Sequence, residues 1–444
     1  MGWGHFSTVW LSWDLCERQF VALKIVKSAE HYSEAARDEI VLLERVNQII
    51  VEKNFTSEND ESVVRLFDHF QHRGPHGTHI CMVFEVLGDN LLKLIRLFDH
   101  RGIPLVSVKT IARQILEGLD LLHRECGIIH TDLKPENVLV CLEPEEIKKI
   151  AVSSLEKALR EGEGTASTGS TTIESGRRSR GSFSEHLCRL AESQQDCTAS
   201  LDRMKEIYRS TVDSRNSFDL AESMEGINIT TPVKDKSCAS LEGLGSLSDL
   251  GRNETPGRIR RCASRSLSRV PRRSLERVRV KIADLGNACW VHKHFTSDIQ
   301  TRQYRAPEVL LGLSYDTACD IWSAACLIFE LVTGDFLFAP HSGKRYNKNE
   351  DHVAQMIELL GKMPRSFALG GKYSYEIFNK RGELRHIRDL EYWKLEDVLI
   401  EKYRVHPTDA KELAAFLSPM LEYSPKKRAT AQDCLKHPWL ASES

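Results

Sequence analysis

What the sequence lacks narrows it first. Its twelve cysteines are scattered along 444 residues, with no C-x-x-C pair and no histidines at ligand spacing. That excludes a zinc ribbon and a disulfide framework, and predicts buried reduced thiols in a cytosolic or nuclear protein. Cytoplasm and nucleus are the expected locations. No apolar run reaches the length of a membrane span, so no membrane partner is expected. The start, Met1-Gly2-Trp3-Gly4-His5-Phe6, lacks the basic and apolar regions of a signal peptide, and Phe6 stands where myristoylation needs Ser or Thr. A formal net charge of −2 gives no whole-chain case for nucleic-acid binding. Direct nucleic-acid binding is therefore not expected, and a monomer is.

Tryptophan is missing from the middle of the chain. All seven lie outside residues 143–277, a stretch rich in Ser, Arg, Glu and Gly. Such a segment cannot bury enough apolar surface to offset its ordering entropy, so most of it is predicted to be a disordered spacer. A helix around Glu145–Leu159 is expected at its start. On either side, residues 1–142 and 278–444 are apolar and periodic. Val138–Val140 and Val278–Ile282 read as strands that pair across the spacer. Length is no obstacle, since each doubling of a loop costs only about 0.6 kcal/mol.

The densest chemistry lies in His130-Thr131-Asp132-Leu133-Lys134-Pro135-Glu136-Asn137, just before the first of those strands. Asp132 can accept a proton from an attacking hydroxyl, Lys134 can face a phosphoryl group, and Asn137 can hold a metal ion through its side-chain oxygen. A solvated polar loop is the bland alternative. The order of His, Asp, Lys and Asn follows the H-R-D-x-x-x-x-N catalytic loop of protein kinases.

Other motifs fall in a matching order. Gly2-Trp3-Gly4-His5-Phe6-Ser7-Thr8-Val9 is a glycine-rich turn that lets backbone approach phosphates; alone it reads equally as a tight turn. Val21-Ala22-Leu23-Lys24 is an apolar strand closed by a lysine, which needs an anionic partner when buried. Glu39, on a helix expected from Ala35 to Val46, supplies one, and Leu43 follows one turn later on the same face. Ile80–Glu85 reads as a buried strand running into a hinge, Val86-Leu87-Gly88. Its backbone at Glu85 and Leu87 would hydrogen-bond an adenine, with Phe84 narrowing the pocket behind, although core packing explains the same apolar run. Lys281-Ile282-Ala283-Asp284-Leu285-Gly286 ends a buried strand in a carboxylate, a second metal ligand beside Asn137, with Leu285 where kinases usually carry Phe. Glu308 in Ala306-Pro307-Glu308 awaits a basic partner, and Arg428 fits. Asp320-Ile321-Trp322-Ser323 opens a long apolar helix.

Taken together these residues resemble a eukaryotic protein kinase, and more narrowly an SR-protein kinase. The narrower likeness rests on Gly2–Trp10, Thr131 in the catalytic loop, Asp284-Leu285-Gly286-Asn287-Ala288-Cys289-Trp290, and Gly334-Asp335-Phe336-Leu337-Phe338. A LAMMER motif is absent: the corresponding stretch reads Glu350-Asp351-His352-Val353-Ala354-Gln355-Met356. The resemblance implies an α+β, bilobal fold. A β-rich N-lobe would span 1–87, with a truncated first strand. A helical C-lobe would occupy 88–142 and 278–440, split by the spacer at 143–277. It implies an ATP-dependent serine kinase acting on Arg/Ser-rich segments of splicing factors, with ATP and Mg²⁺ as cofactors. Asp132, Lys134, Lys24 and Glu39 would be catalytic. Gly2, Gly4, Val9, Ala22, Lys24, Glu85, Leu87 and Leu139 would contact ATP, and Asn137 and Asp284 the metal. Asp335, Asp351, Glu358 and Lys402 would line a substrate-docking groove.

Two rival readings stay open from sequence: a pseudokinase scaffold inactivated by loss of the first strand, and a carrier whose Arg/Ser-rich stretch binds partners. That stretch, Arg260–Arg273 with nearby Ser274, resembles the expected substrate, so it is expected to compete with substrate in cis. Thr131 stands where many kinases carry the arginine that pairs with a phosphorylated activation loop, so activity without loop phosphate is expected.

Overall fold

A computed structural model describes residues 2–3, 7–53, 62–75, 77–164 and 277–441. The chain forms two units, residues 1–147 with 236–444, and residues 148–235. The first unit opens with an antiparallel sheet. Strands β2 (Ser7–Asp14) and β3 (Gln19–Val26) form a hairpin in unbroken register from Ser7↔Val26 to Asp14↔Gln19. Asp14 shapes the turn, its carboxylate accepting the N–H groups of Cys16 (2.8 Å) and Glu17 (3.1 Å). Strand β1 (Gly2–Trp3) pairs Gly2 with Val9, and β4 (Leu66–Gly74) and β5 (Gly77–Phe84) complete the order β1-β2-β3-β5-β4.

Helix α1 (Glu30–Glu52) packs on this sheet. Ala36, Ile40, Leu43, Val46 and Ile50 recur at helical spacing and are buried, while Arg37, Asp38 and Glu44 face solvent. The helix is longer at both ends than the expected 35–46. Glu30 suits the positive end of the helix dipole, and the apolar stripe runs on through Ile49 and Ile50.

The chain leaves the sheet through β6 (Leu87–Asn90) and enters a helical lobe. Asn90 caps α2 (Leu91–Leu97) by accepting the N–H of Lys93 at 3.0 Å. Helix α3 (Leu105–Asp120) continues as a π-helical turn, Leu121–Cys126, ended by Gly127 in the left-handed region, and the short strand β7 (Ile128–Ile129) follows. Strand β8 (Val138–Cys141) pairs with β9 (Val280–Ile282) in the register Val138↔Ile282, so the expected pairing across the spacer forms, with β9 starting two residues later than expected. Helix α4 (Pro144–Gly164) occupies the start of the segment expected to be spacer. Residues 165–276, with the Arg/Ser-rich stretch, lie outside the described residues.

Helix α6 (Ala318–Thr333), preceded by the short α5 (Pro307–Leu311), is buried on nearly every side and forms the lobe's centre. It ends at Gly334 (φ 80°), where a Cβ would lie 2.1 Å from the carbonyl oxygen of His100. Only glycine fits there. Helix α7 (Lys348–Leu360) and helix α8 (Pro407–Leu417) belong to the same lobe. Arg428 and Glu308, paired from sequence, form a fully buried bidentate ion pair at 2.7 and 2.8 Å. The architecture is α+β and two-lobed, a β-sheet N-lobe above a helical C-lobe. No helix among the described residues is long and apolar enough to cross a membrane.

Candidate active site

Lys24 enters the site from β3, where it faces Val9 on one side and Met82 on the other. Its ammonium donates to both oxygens of Glu39, at 2.8 and 2.9 Å, and Oδ1 of Asp284 lies 3.8 Å away. Burial works against the Lys24 charge, but the two carboxylates outweigh it and raise its pKa. Lys24 therefore stays charged and points at the place where anionic phosphates would sit. Leu43, one turn beyond Glu39, and Leu285, next to Asp284, are both buried.

The catalytic loop hangs from one carboxylate that the sequence reading used only as a helix opener. Asp320, in the first turn of α6, accepts the backbone N–H of His130 (2.7 Å) and of Thr131 (2.9 Å), and the ring of His123 (2.8 Å). Its burial alone would raise its pKa, yet the hydrogen bond and charge of His123 and the bonds from the loop hold it below the usual carboxylate value. The two N–H bonds fix Thr131 in a left-handed conformation (φ 66°), which a β-branched residue adopts only under constraint. The His130 ring bridges the Asp132 N–H (3.2 Å) and the Ala283 carbonyl (3.1 Å), so the loop is tied to the strand that ends in Asp284. Asp284 itself has φ 64°.

Asp132 sits at the centre. Its Oδ2 accepts from Lys134 at 2.6 Å, and its Oδ1 accepts both the hydroxyl (2.7 Å) and the backbone N–H (3.1 Å) of Thr301. Lys134 also donates to the Thr301 hydroxyl at 3.0 Å. Asn137 commits its amide nitrogen to the Asp132 carbonyl at 2.9 Å, which leaves its side-chain oxygen to serve as a ligand. Thr301 and Gln300 were missed from sequence. Gln300, at φ 69°, donates to the Cys319 carbonyl and the Ser323 hydroxyl and accepts the Ala306 N–H, so it pins the segment before Ala306-Pro307-Glu308 to α6. Nothing in the one-dimensional pattern marks either residue except its closeness to that motif.

The remaining predicted contacts fall around this centre. Ala22 is buried and lies opposite Phe84 across β3 and β5, while Leu139 on β8 is half-buried. Leu87 pairs with Cys141, and Glu85 turns its carboxylate to Lys281 at 2.8 Å. Gly2 lies in β1; Gly4 is outside the described residues. Asp284 offers a carboxylate 3.8 Å from the Lys24 ammonium, and Asn137, whose backbone carbonyl accepts the Ala283 N–H at 2.9 Å, offers an amide oxygen; such hard oxygen donors fit a small divalent cation.

Of the four residues expected to line a docking groove, two line one on the helical lobe and two adjoin it through a bonded neighbour. Glu358 and Lys402 line a groove of about 460 Å³ with Phe336, Leu337, Tyr392 and Trp393. Asp335 adjoins it, accepting the Tyr403 hydroxyl at 3.1 Å with the Lys402 ammonium 3.8 Å away. Asp351 lies one residue behind the lining, bonded to Gln355, which lines the groove. It is 8% exposed, and its carboxylate accepts the His341 N–H (3.0 Å) and the Gln355 amide (2.8 Å).

A lysine–glutamate pair in a β-lobe, a D-x-x-x-x-N loop beneath it and a strand-end aspartate facing both define a protein kinase. The protein kinase domain family matches residues 1–154 and 273–440. Among curated proteins, the chain is 42% identical to SRSF protein kinase 3 of Sus scrofa, over 99% of this chain and 85% of that protein. It is 45% identical to the serine/threonine-protein kinase SRPK of Physarum polycephalum (99% and 84%), and 43% identical to protein kinase dsk1 of Schizosaccharomyces pombe (99% and 79%). The chain belongs to the SRSF protein kinase family, within the protein serine/threonine kinases. Use of ATP with a divalent metal follows from that membership.

Proposed function

We propose that this enzyme transfers the γ-phosphoryl group of ATP to serines in Arg/Ser-rich segments of splicing factors, with Mg²⁺ as its metal, in the cytoplasm and nucleus. Asp132 accepts the serine proton as the serine oxygen bonds to the γ-phosphorus. The bond from that phosphorus to the bridging oxygen breaks, and ADP leaves. Lys24, held by Glu39, contacts the α/β-phosphates, and Lys134 faces the transferring group. The metal, held by Asn137 and Asp284, would neutralise charge on the phosphate oxygens. The adenine would lie between Ala22 and Leu139, bonded to the hinge backbone at Glu85 and Leu87.

The substrate class is carried by the groove, where Glu358 and Asp335 present carboxylates beside exposed aromatic rings, a surface suited to guanidinium side chains. Transfer of labelled phosphate to an Arg/Ser repeat peptide, compared with a Lys/Ser repeat, tests this reading. A clear preference for arginine is expected, and equal rates would count against it. Glu358→Lys is expected to raise the KM for a long Arg/Ser substrate by about tenfold and to leave a short peptide nearly unaffected. Equal rises on both would point to long-range charge rather than docking. Asp351 is a poor choice for such a reversal, because its buried carboxylate holds a loop.

Activation should need no loop phosphate. The Thr131 hydroxyl donates to the Asn287 carbonyl at 2.7 Å, His294 stacks on Tyr315, and the Tyr315 hydroxyl donates to the Thr296 carbonyl at 2.7 Å. With Gln300, with Thr301 bonded to Asp132 and Lys134, and with Arg305 paired to Asp298 at 3.2 Å, these contacts hold the activation segment from Asp284 to Glu308 without a phosphate. Phosphatase treatment of the purified enzyme is expected to leave its turnover within about twofold, since each of these contacts is made without a phosphate. A tenfold fall would contradict it.

A further inference from the structure

Beside the hinge lies a largely buried ion pair that the phosphoryl-transfer chemistry does not use. Lys281, in β9, donates to both oxygens of Glu85 at 2.8 and 2.9 Å. The lysine side chain is 3% exposed and the glutamate 20%. The Glu85 carboxylate also accepts the backbone N–H of Arg65 at 2.9 Å. Glu85 thus turns its charge away from the pocket, and its backbone is left on the hinge.

Placement gives the pair its interest. Lys281 sits opposite Leu139, the residue read as the adenine floor, and three positions before Asp284. Its neighbour Ile282 exchanges backbone bonds with the segment just before Arg65: the Ile282 N–H donates to Ser62 and the Val64 N–H to Ile282, at 2.8 and 2.9 Å. One strand is therefore stitched to the hinge at Lys281 and leads, three residues later, to the metal-side carboxylate. A buried ion pair is a costly way to stabilise a fold, because desolvation of both charges offsets their attraction, and an apolar pair of similar volume would serve as well. Its directional strength suits a different task, which is to hold one backbone geometry among several.

We propose that Lys281 is a positioning residue for the nucleotide: by clamping the Glu85 carboxylate it fixes the Glu85 carbonyl and Leu87 N–H at the spacing an adenine edge requires. The clamp acts on the adenine end and not on the phosphate end. The proposal rests on the reading of Glu85 and Leu87 as the adenine contacts, and the test separates the two.

The full chain is assayed as wild type, Lys281→Met, Lys281→Arg and the double variant Lys281→Met/Glu85→Leu. KM for ATP and kcat are measured with an Arg/Ser peptide. Competition by adenosine probes the adenine end, and competition by tripolyphosphate with Mg²⁺ probes the phosphate end. Lys281→Met is expected to weaken adenosine and raise the KM for ATP by about tenfold, the worth of one adenine hydrogen bond, with a much smaller change in kcat and in tripolyphosphate inhibition. Lys281→Arg, which can still clamp, should recover most of the loss. The double variant controls for folding, since it removes the stranded carboxylate. It should keep a thermal midpoint near wild type and still bind adenosine weakly. A well-folded double variant that binds adenosine as wild type does would overturn the proposal and leave the pair purely structural. Equal weakening of adenosine and tripolyphosphate would overturn it too, because the defect would then be general. Wild-type enzyme on which adenosine fails to compete with ATP would remove the hinge reading itself, and the clamp with it.

Discussion

Asp132→Asn is expected to lower phosphoryl transfer by about 10²–10⁴-fold, the usual worth of a positioned general base. The change is isosteric, but it replaces an acceptor with an amide that has no affinity for the serine proton. It also turns a donor toward Lys134, whose ammonium now donates to Asp132 Oδ2 at 2.6 Å. Asp132 is 13% exposed and fills no core space, so the thermal midpoint should stay close to wild type. A variant that kept a tenth of wild-type turnover would sink the assignment. Asp284→Ala should be equally inactive with little cost in stability, because half of that side chain is exposed. Lys24→Met differs. It should be inactive and also less stable, since it strands Glu39, which is 5% exposed and takes both of its short bonds from that ammonium. Midpoints measured beside turnover for the three variants would show this ordering, and a Lys24→Met protein as stable as Asp132→Asn would contradict it.

Much of this geometry was legible because the residues that meet lie in short motifs with strong local grammar. Lys24 closes an apolar strand and Glu39 lies on the buried face of an amphipathic helix, so their meeting requires only that the helix pack on the sheet. The β8–β9 pairing was legible for a similar reason: two short apolar strands without partners of their own flank a stretch that cannot form a core. Glu308 carries a charge into an apolar run, Pro307 to Leu311, and a buried charge demands an opposite one, which the basic stretch Lys426-Lys427-Arg428 could supply.

Residues whose partners are backbone groups were not legible. Asp320 organises the catalytic loop by accepting N–H groups of His130 and Thr131, and a sequence shows only an acidic residue at a helix start. Gln300 and Thr301 left as little trace: Gln300 donates to a carbonyl and a hydroxyl of α6, and Thr301 donates its own main-chain N–H to the Asp132 carboxylate. The left-handed backbone at Thr131, Asp284 and Gln300 has no sequence mark either, because glycine, the usual sign of such a position, stands at none of the three. Asp351 illustrates the opposite limit. The resemblance makes it a docking carboxylate, but its Oδ2 also accepts the N–H of His341 from the neighbouring loop, a contact that no sequence pattern shows.

Arg428→Met should be among the most destabilising single changes in the helical lobe. Both partners of the Arg428–Glu308 pair are fully buried. The guanidinium donates to both Glu308 oxygens, and also to the carbonyls of Ala318 (2.9 Å), Glu422 (2.9 Å) and Tyr423 (3.2 Å). Its Cζ lies 5.2 Å from the centre of the Trp322 ring. Removal therefore strands a buried carboxylate and takes a donor from three carbonyls at once, and breaking a buried pair in this way costs about 3–5 kcal/mol. At about 2 °C per kcal/mol for a large domain, the midpoint should fall by roughly 6–10 °C. Glu308→Gln should cost less. The amide keeps one acceptor for the guanidinium, and the three carbonyls still hold it. The two effects are also expected to be non-additive, because the residues share one network. Denaturant unfolding of both single variants and the double variant measures each term. A midpoint for Arg428→Met within 2 °C of wild type, or a Glu308→Gln loss as large as that of Arg428→Met, would mean that the pair is not what ties the Ala306-Pro307-Glu308 segment to the lobe.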